Sequence, residues 1–73
     1  MEELVLPLVY GGRDLELPLK VYAYGYTFRV DVSIGDTVVI FEPDEEGSYR
    51  ALGDKMINAG LLKAIAEALE KLR

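Results

Sequence analysis

The sequence predicts an α+β domain, with an antiparallel sheet of four or five strands, mainly a meander, and one C-terminal helix packed on one face. Two observations lead to this prediction. Residues 3–52 contain alternating apolar positions between glycine-containing turns, which is typical of strands joined by short hairpins. Residues 59–72 instead repeat apolar residues at helical spacing. We expect the 73 residues to form a single domain.

The first hairpin is centred on Gly11-Gly12, a pair that suits the two positive φ angles of a type I′ turn. This turn predicts strands over about 3–10 and 13–23. In the resulting register six leucines lie on one face of the hairpin, and this shared face supports the pairing. The six are Leu4, Leu6, Leu8, Leu15, Leu17 and Leu19.

Each arm of this hairpin contains a proline, which has no N–H to donate to a strand ladder. In the predicted register, Pro7 and Pro18 both occupy non-hydrogen-bonded positions, so the hairpin itself loses no bond. A third strand lying beside either proline would lack one backbone hydrogen bond at that position. The sequence therefore predicts that strand 1 is a sheet edge and that strand 2 is blocked near Pro18.

The apolar positions change from odd to even numbers near Tyr24-Gly25. Either a bulge there, with the glycine at positive φ, or a tight turn at these two residues explains the change. The turn would place Lys20 opposite Arg29, and this like-charge pair makes the bulge the favoured interpretation. Strand 3 is predicted over about 26–33.

The next turn lies at Gly35-Asp36, where a glycine in first position fits a type II′ turn. This turn pairs Val32 with Val39 and Val30 with Phe41. A three-residue loop at 34–36 is the alternative, and it would shift the register by one residue.

Strand 4, at about 37–42, is apolar at both odd and even positions. We therefore expect it to be central in the sheet and covered on both faces. Pro43 and Gly47 favour a wider turn after it, because one presets φ and the other accepts a left-handed conformation. A short strand 5 is predicted at about 48–52.

The C-terminal segment is predicted to be an amphipathic helix over about 59–72, with Asn58 as its N-cap. An apolar stripe is formed by Leu61, Ile65, Leu69 and Leu72. The opposite, polar face carries Lys63, Glu67, Glu70 and Lys71. A single helix covers only one face of an antiparallel sheet, and the opposite face is too apolar to be plainly solvent-facing.

The composition limits the function classes. Thirteen acidic and eight basic residues leave a net charge of −5, which disfavours nucleic acids and anionic membranes as partners. The chain contains no cysteine and no histidine, which removes thiol nucleophiles, most general bases and most transition-metal ligands. We expect no enzyme activity, no catalytic residues, no cofactor and no metal. Because Met1-Glu2-Glu3 does not resemble a signal peptide, we expect a cytoplasmic protein.

Three segments together resemble a group of small, uncharacterised bacterial proteins. They are the tyrosine-rich strand "YGYTFRV" at 24–30, the hairpin "VIFEPDEEGSYRAL" at 39–52 and the helix "LLKAIAEALEKL" at 61–72. The segments cover roughly the last two thirds of the chain, and the hairpin is the most distinctive of them. The resemblance implies the same order of strands and helix, and it implies no activity and no site residues.

Four acidic side chains stand close together in the last turn of the sheet. They are Glu42, Asp44, Glu45 and Glu46. Calcium needs six to eight oxygens from a wrapped loop, and the spacing here is not that of an EF-hand. We expect a solvated turn whose charges prevent pairing with another chain, and a docking loop for a basic partner is the alternative.

A candidate interaction surface lies on the sheet away from the helix. Its predicted members are Val5, Val9, Tyr22, Tyr24 and Tyr49. Ordinary sheet packing also explains tyrosines in strands, and too few basic residues accompany them for a nucleic-acid platform. Arg29 and Arg50 can reach the same carboxylates, which suggests either exposed ion pairs or a small-anion site.

The leading functional hypothesis is a non-enzymatic interaction module, which forms a homodimer or binds a protein partner through a sheet face. The alternative is a small-ligand-binding domain that uses the tyrosine-bearing face with Arg29 and Arg50. An enzyme acting through carboxylates alone and an idealised artificial chain are more distant possibilities. Neither nucleic acid nor membrane is expected as a partner.

Overall fold

The computed structural model describes residues 1–53 and 57–72. Five antiparallel strands form one sheet in the order β1-β2-β3-β4-β5, followed by one helix packed against it, so the α+β meander is confirmed. The elements are β1 (Glu2–Tyr10), β2 (Arg13–Tyr24), β3 (Thr27–Ile34), β4 (Thr37–Pro43), β5 (Tyr49–Leu52) and α1 (Ala59–Leu72). In the described part of the chain, no helix has the length and apolar character needed to cross a membrane.

The first hairpin has the predicted register, with Leu6 opposite Leu17 and Gly11-Gly12 between the arms. Both glycines have positive φ, 62° and 75°, as a type I′ turn requires. The roles of the two prolines are confirmed as well. β1 is a sheet edge, and the pairing of β2 with β3 begins at Leu19, directly after Pro18.

The connection between β2 and β3 corrects the sequence prediction. It is a two-residue turn at Gly25-Tyr26, with Tyr24 opposite Thr27, and the pairing continues through Tyr24 without a bulge. Every two-residue hairpin pairs odd with even positions, so the change in parity needs no bulge. Moving the turn by one residue also places Lys20 opposite Asp31, which replaces the like-charge pair by an opposite-charge pair.

The register of β4 is the predicted one, with Val32 opposite Val39 across the Gly35-Asp36 turn. The expectation that β4 is covered on both faces is wrong. Val39 and Phe41 are buried beneath the helix, whereas Val38 on the opposite face is 56% exposed. The reason is that α1 covers one face only, and no other described segment covers the second.

The core forms where the helix lies against the sheet. Its most deeply buried members are Leu6, Leu19, Val30, Val32, Val39, Phe41, Ile65 and Leu69. The backbone of α1 comes near both edge strands, β1 and β5, so the sheet curves around the helix. We call the sheet surface that contacts α1 the helix-side face and the opposite surface the outer face.

Asn58 caps the helix as predicted. Its side-chain oxygen Oδ1 accepts hydrogen bonds from the backbone N–H groups of Gly60 at 2.7 Å and Leu61 at 3.3 Å. The Tyr10 hydroxyl, at the end of β1, donates to the same oxygen at 3.2 Å. One side chain therefore joins the first hairpin to the beginning of α1.

Candidate functional site

The outer face is the first candidate site. Val5, Val9 and Val38 are 55%, 67% and 56% exposed on it, so no described segment of this chain covers them. Tyr22 is half-buried and Tyr24 is exposed on the same face. Four of the five residues predicted for an interaction surface are therefore on one side of the sheet, together with Val38.

The fifth predicted residue, Tyr49, lies on the helix-side face. It is half-buried and packs edge-to-face with Phe28, with 6.3 Å between ring centroids and 64° between ring planes. Tyr49 and Ala51 are two residues apart in β5, so both side chains point to the helix-side face, where they pack against the core. Tyr49 is therefore not part of the outer face.

Charged side chains from β3, β4 and β5 stand in a row across the outer face, near the end that carries the β2–β3 turn. Arg29 Nε lies 3.3 Å from Glu42 Oε2, and its guanidinium stacks 3.6 Å from the centroid of the Tyr24 ring. The other oxygen of Glu42, Oε1, lies 3.7 Å from Nη2 of Arg50. Since one carboxylate stands between both arginines, a small anion binding there would compete with a negative charge already in place.

Tyr22 and Asp31 form a second polar contact on the same face. The Tyr22 hydroxyl donates to Asp31 Oδ1 at 2.9 Å, and Lys20 is the cross-strand neighbour of Asp31. Partial burial raises the pKa of Tyr22, and the hydrogen bond to Asp31 and the negative charge of that carboxylate raise this pKa further.

This pKa shift predicts how the fold responds to alkali. The folded-state pKa of Tyr22 is raised, so its contribution to stability is present below the unfolded pKa of about 10 and is lost as the pH rises through the folded value. Tyr22→Phe should therefore lose less stability than the natural chain as the pH rises above about 10. Chemical denaturation at several alkaline pH values measures this difference. Tyr24→Phe is the control, and an equal effect of both variants would contradict the expectation.

The four acidic residues of the last hairpin do not form one cluster, because their carboxylates have different surroundings. Glu42 belongs to β4 and faces the arginines, whereas the Asp44 carboxylate accepts the backbone N–H groups of Glu46 at 2.9 Å and Ser48 at 3.0 Å. Glu45 and Glu46 are exposed. Within residues 1–53 and 57–72, no group of three or more acidic, histidine or cysteine side chains is arranged to hold a metal ion.

A second candidate site is an apolar cavity of about 440 Å³ on the helix-side face. It lies where α1 ends, beside the beginning of β1 and the hairpin of β2 and β3. Its lining includes Glu2, Leu4, Val21, Phe28, Tyr49 and Leu72. The sequence gives no signal for this cavity, because the residues of the apolar stripes that line it have the same pattern as core positions.

The cavity exists because two apolar stripes continue beyond the closed core. Along β1, Leu6 is 1% exposed and Leu4 is 37% exposed. Along α1, Leu69 is 2% exposed and Leu72 is 43% exposed. Apolar side chains at positions that face the core are therefore left partly open at this end of the molecule.

Comparison of the chain with protein-family models, with curated proteins and with solved structures gives no match. The resemblance to small bacterial proteins therefore stays a prediction. Two surfaces remain as the basis for a functional hypothesis: the outer face, with its apolar side chains around a row of paired charges, and the apolar cavity on the helix-side face.

Proposed function

We propose that this chain is a non-enzymatic interaction module that forms a homodimer through its outer face. The observation that carries this proposal is the exposure of Val5 and Val38 on a sheet face that the single helix leaves uncovered. Half-buried Ile40 and Leu52 stand opposite each other next to this exposed region. Burying such apolar surface against a second sheet is favourable, and sheets commonly stack face to face.

The charges of the outer face favour a second copy as the partner. The chain carries a net charge of −5, so most of its surface repels another copy. The outer face differs, because Lys20, Arg29 and Arg50 stand among its acidic residues, which are Glu3, Asp14, Glu16, Asp31 and Glu42. A patch in which both signs are interspersed is self-complementary across a two-fold axis, since each copy presents both charges to the other.

The outer face is large enough for a stable dimer interface only if most of its area is buried between the two copies. The two longest extents of the chain, 36 and 23 Å, limit one face to roughly 800 Å². A standard protein interface buries about 800 Å² on each partner. Association by extending the sheet beyond β1 is disfavoured, because Pro7 interrupts the ladder that a neighbouring strand would form.

Sedimentation velocity at micromolar concentrations tests the proposal. We expect the natural chain to dimerise and Val38→Lys to weaken the dimer by about tenfold or more, since the change buries an unpaired charge in the interface. Tyr26→Lys is the matched control, because Tyr26 is fully exposed in the β2–β3 turn and lies outside the face. A natural chain that stays monomeric, or equal effects of the two variants, would overturn the proposal.

The alternative of a small-ligand site built on Arg29 and Arg50 receives less support from the geometry. The Glu42 carboxylate lies 3.3 Å from Arg29 and 3.7 Å from Arg50 and would repel an anion there, and Arg29 is also stacked on Tyr24. At the acidic hairpin a basic protein partner would meet Glu45 and Glu46, which are exposed, because Glu42 pairs with the arginines and the Asp44 carboxylate accepts backbone N–H groups. The cytoplasmic location expected from the sequence stays a prediction.

A further inference from the structure

We propose that the cavity at the C-terminal end of α1 binds a small amphipathic amine, whose apolar body enters the cavity and whose ammonium group lies against Glu2. The cavity is on the helix-side face and the proposed dimer interface is on the outer face. The proposal is therefore independent of the proposed function. The apolar lining and the carboxylate of Glu2 together define the class of ligand.

The apolar part of the ligand is implied by size and lining. Cavities that bind small molecules typically measure about 300–1,000 Å³ and are lined mainly by apolar and aromatic side chains. This cavity measures about 440 Å³, with Leu4 and Leu72 on the β1 and α1 sides and Phe28 and Tyr49 forming an aromatic wall. A ligand of matching size would bury the exposed parts of both leucines.

The charge of the ligand is implied by Glu2. The alternating face of β1 runs through Leu8, Leu6 and Leu4 to Glu2, which stands opposite Val21 and lines the cavity. Among the residues that the structure describes, Glu2 is the one charged residue of this lining. A carboxylate at the edge of an apolar cavity favours a cationic head group and repels an anionic one, and the aromatic wall also favours a cation.

Titration with three six-carbon probes tests this inference. Hexylamine, 1-hexanol and hexanoate share an alkyl chain and differ in the charge of the head group. Two-dimensional ¹H–¹⁵N spectra of the full chain should show saturable shifts at Leu4, Val21 and Phe28, with hexylamine binding most tightly and hexanoate most weakly. The absence of saturable shifts at these residues, or equal affinity for all three probes, would overturn the proposal.

A pair of charge variants tests whether the preference for a cationic probe comes from Glu2 or from the net negative charge of the chain. Glu2→Gln should reduce the preference for hexylamine over 1-hexanol by about two- to fivefold, the effect of one exposed ion pair. Glu3→Gln removes the same charge from the neighbouring residue, which faces Lys20 on the outer face, and should leave the preference unchanged. An equal loss in both variants would overturn the role of Glu2.

A pair of size variants tests the apolar part. Val21→Phe fills the cavity and should weaken the binding of hexylamine and 1-hexanol alike, whereas Val9→Phe makes the same change at an exposed position of the outer face. Unchanged binding to a folded Val21→Phe variant would show that the probes bind elsewhere. Because Glu2 is exposed, the charge variants test the proposal even where Val21→Phe disturbs the fold.

Discussion

Replacing Phe41 by alanine is expected to lower the free energy of unfolding by about 3–5 kcal/mol, the largest loss that we predict for a single substitution. Phe41 is fully buried in the middle of β4, opposite Val30 on one side and Ala51 on the other. Removing its ring takes apolar surface from the core and leaves a cavity between three strands. A chain of 73 residues has a total stability of roughly 4–11 kcal/mol, so this loss removes much of it.

Urea denaturation followed by circular dichroism measures this effect. Tyr26→Ala is the control, because Tyr26 is fully exposed in the β2–β3 turn and lies outside both the core and the outer face. We expect the control to change the free energy of unfolding by about 0.5 kcal/mol or less. A loss below about 1.5 kcal/mol for Phe41→Ala would mean that the Phe41 ring is not buried between β3 and β5.

Replacing Asn58 by alanine is expected to cost about 1–2 kcal/mol, at the upper end of the range for a helix N-cap. The side-chain oxygen accepts hydrogen bonds from the backbone N–H groups of Gly60 and Leu61 and from the Tyr10 hydroxyl. All three donors lose this partner together in the variant. The loss therefore affects both the beginning of α1 and its attachment to the first hairpin.

Two further variants separate these contributions. Asn58→Asp keeps an acceptor oxygen and places a negative charge near the helix N-terminus, so it should stay within about 0.5 kcal/mol of the natural chain. Tyr10→Phe removes only the contact between hairpin and helix and should cost less than Asn58→Ala. If Asn58→Asp is as destabilising as Asn58→Ala, the cap is not the cause.

The crowding around Gly60 is a feature that only the folded structure shows. A Cβ atom at this position would stand 2.9 Å from the Tyr10 hydroxyl oxygen and 3.0 Å from Asn58 Oδ1. Glycine is unfavourable inside a helix by up to about 1 kcal/mol relative to alanine. In this protein it allows Tyr10 to reach Asn58, because a larger residue would push the hydroxyl away from its acceptor.

Most of the architecture was predictable because its signals are local. The Gly11-Gly12 and Gly35-Asp36 pairs specify tight turns, and the alternating leucines then define the register of the first hairpin. Pro7 lies in the edge strand, and Pro18 lies directly before the residue at which β3 begins to pair with β2, so neither is paired with a strand outside the first hairpin. Each of these signals depends on the conformation of a few consecutive residues, so it can be interpreted without knowledge of the rest of the molecule.

The wrong predictions concern relations between strands. The sequence favours a bulge near Gly25 because a turn at Tyr24-Gly25 would pair Lys20 with Arg29, whereas the turn at Gly25-Tyr26 pairs Lys20 with Asp31. The apolar run of β4 suggested coverage on both faces, whereas the exposure of Val38 depends on how many helices the chain supplies. Such questions are decided by long-range neighbours, which sequence periodicity does not identify.

The candidate sites themselves were determined by tertiary structure. Glu42 lies between Arg29 and Arg50 only because three strands bring these side chains into one row. The cavity beside Leu72 exists only because the apolar stripes continue beyond the closed core. The local sequence was therefore sufficient for the strands, the turns and the helix. The outer face and the cavity depend on the curvature of the sheet around one helix, which arises only when distant segments pack together.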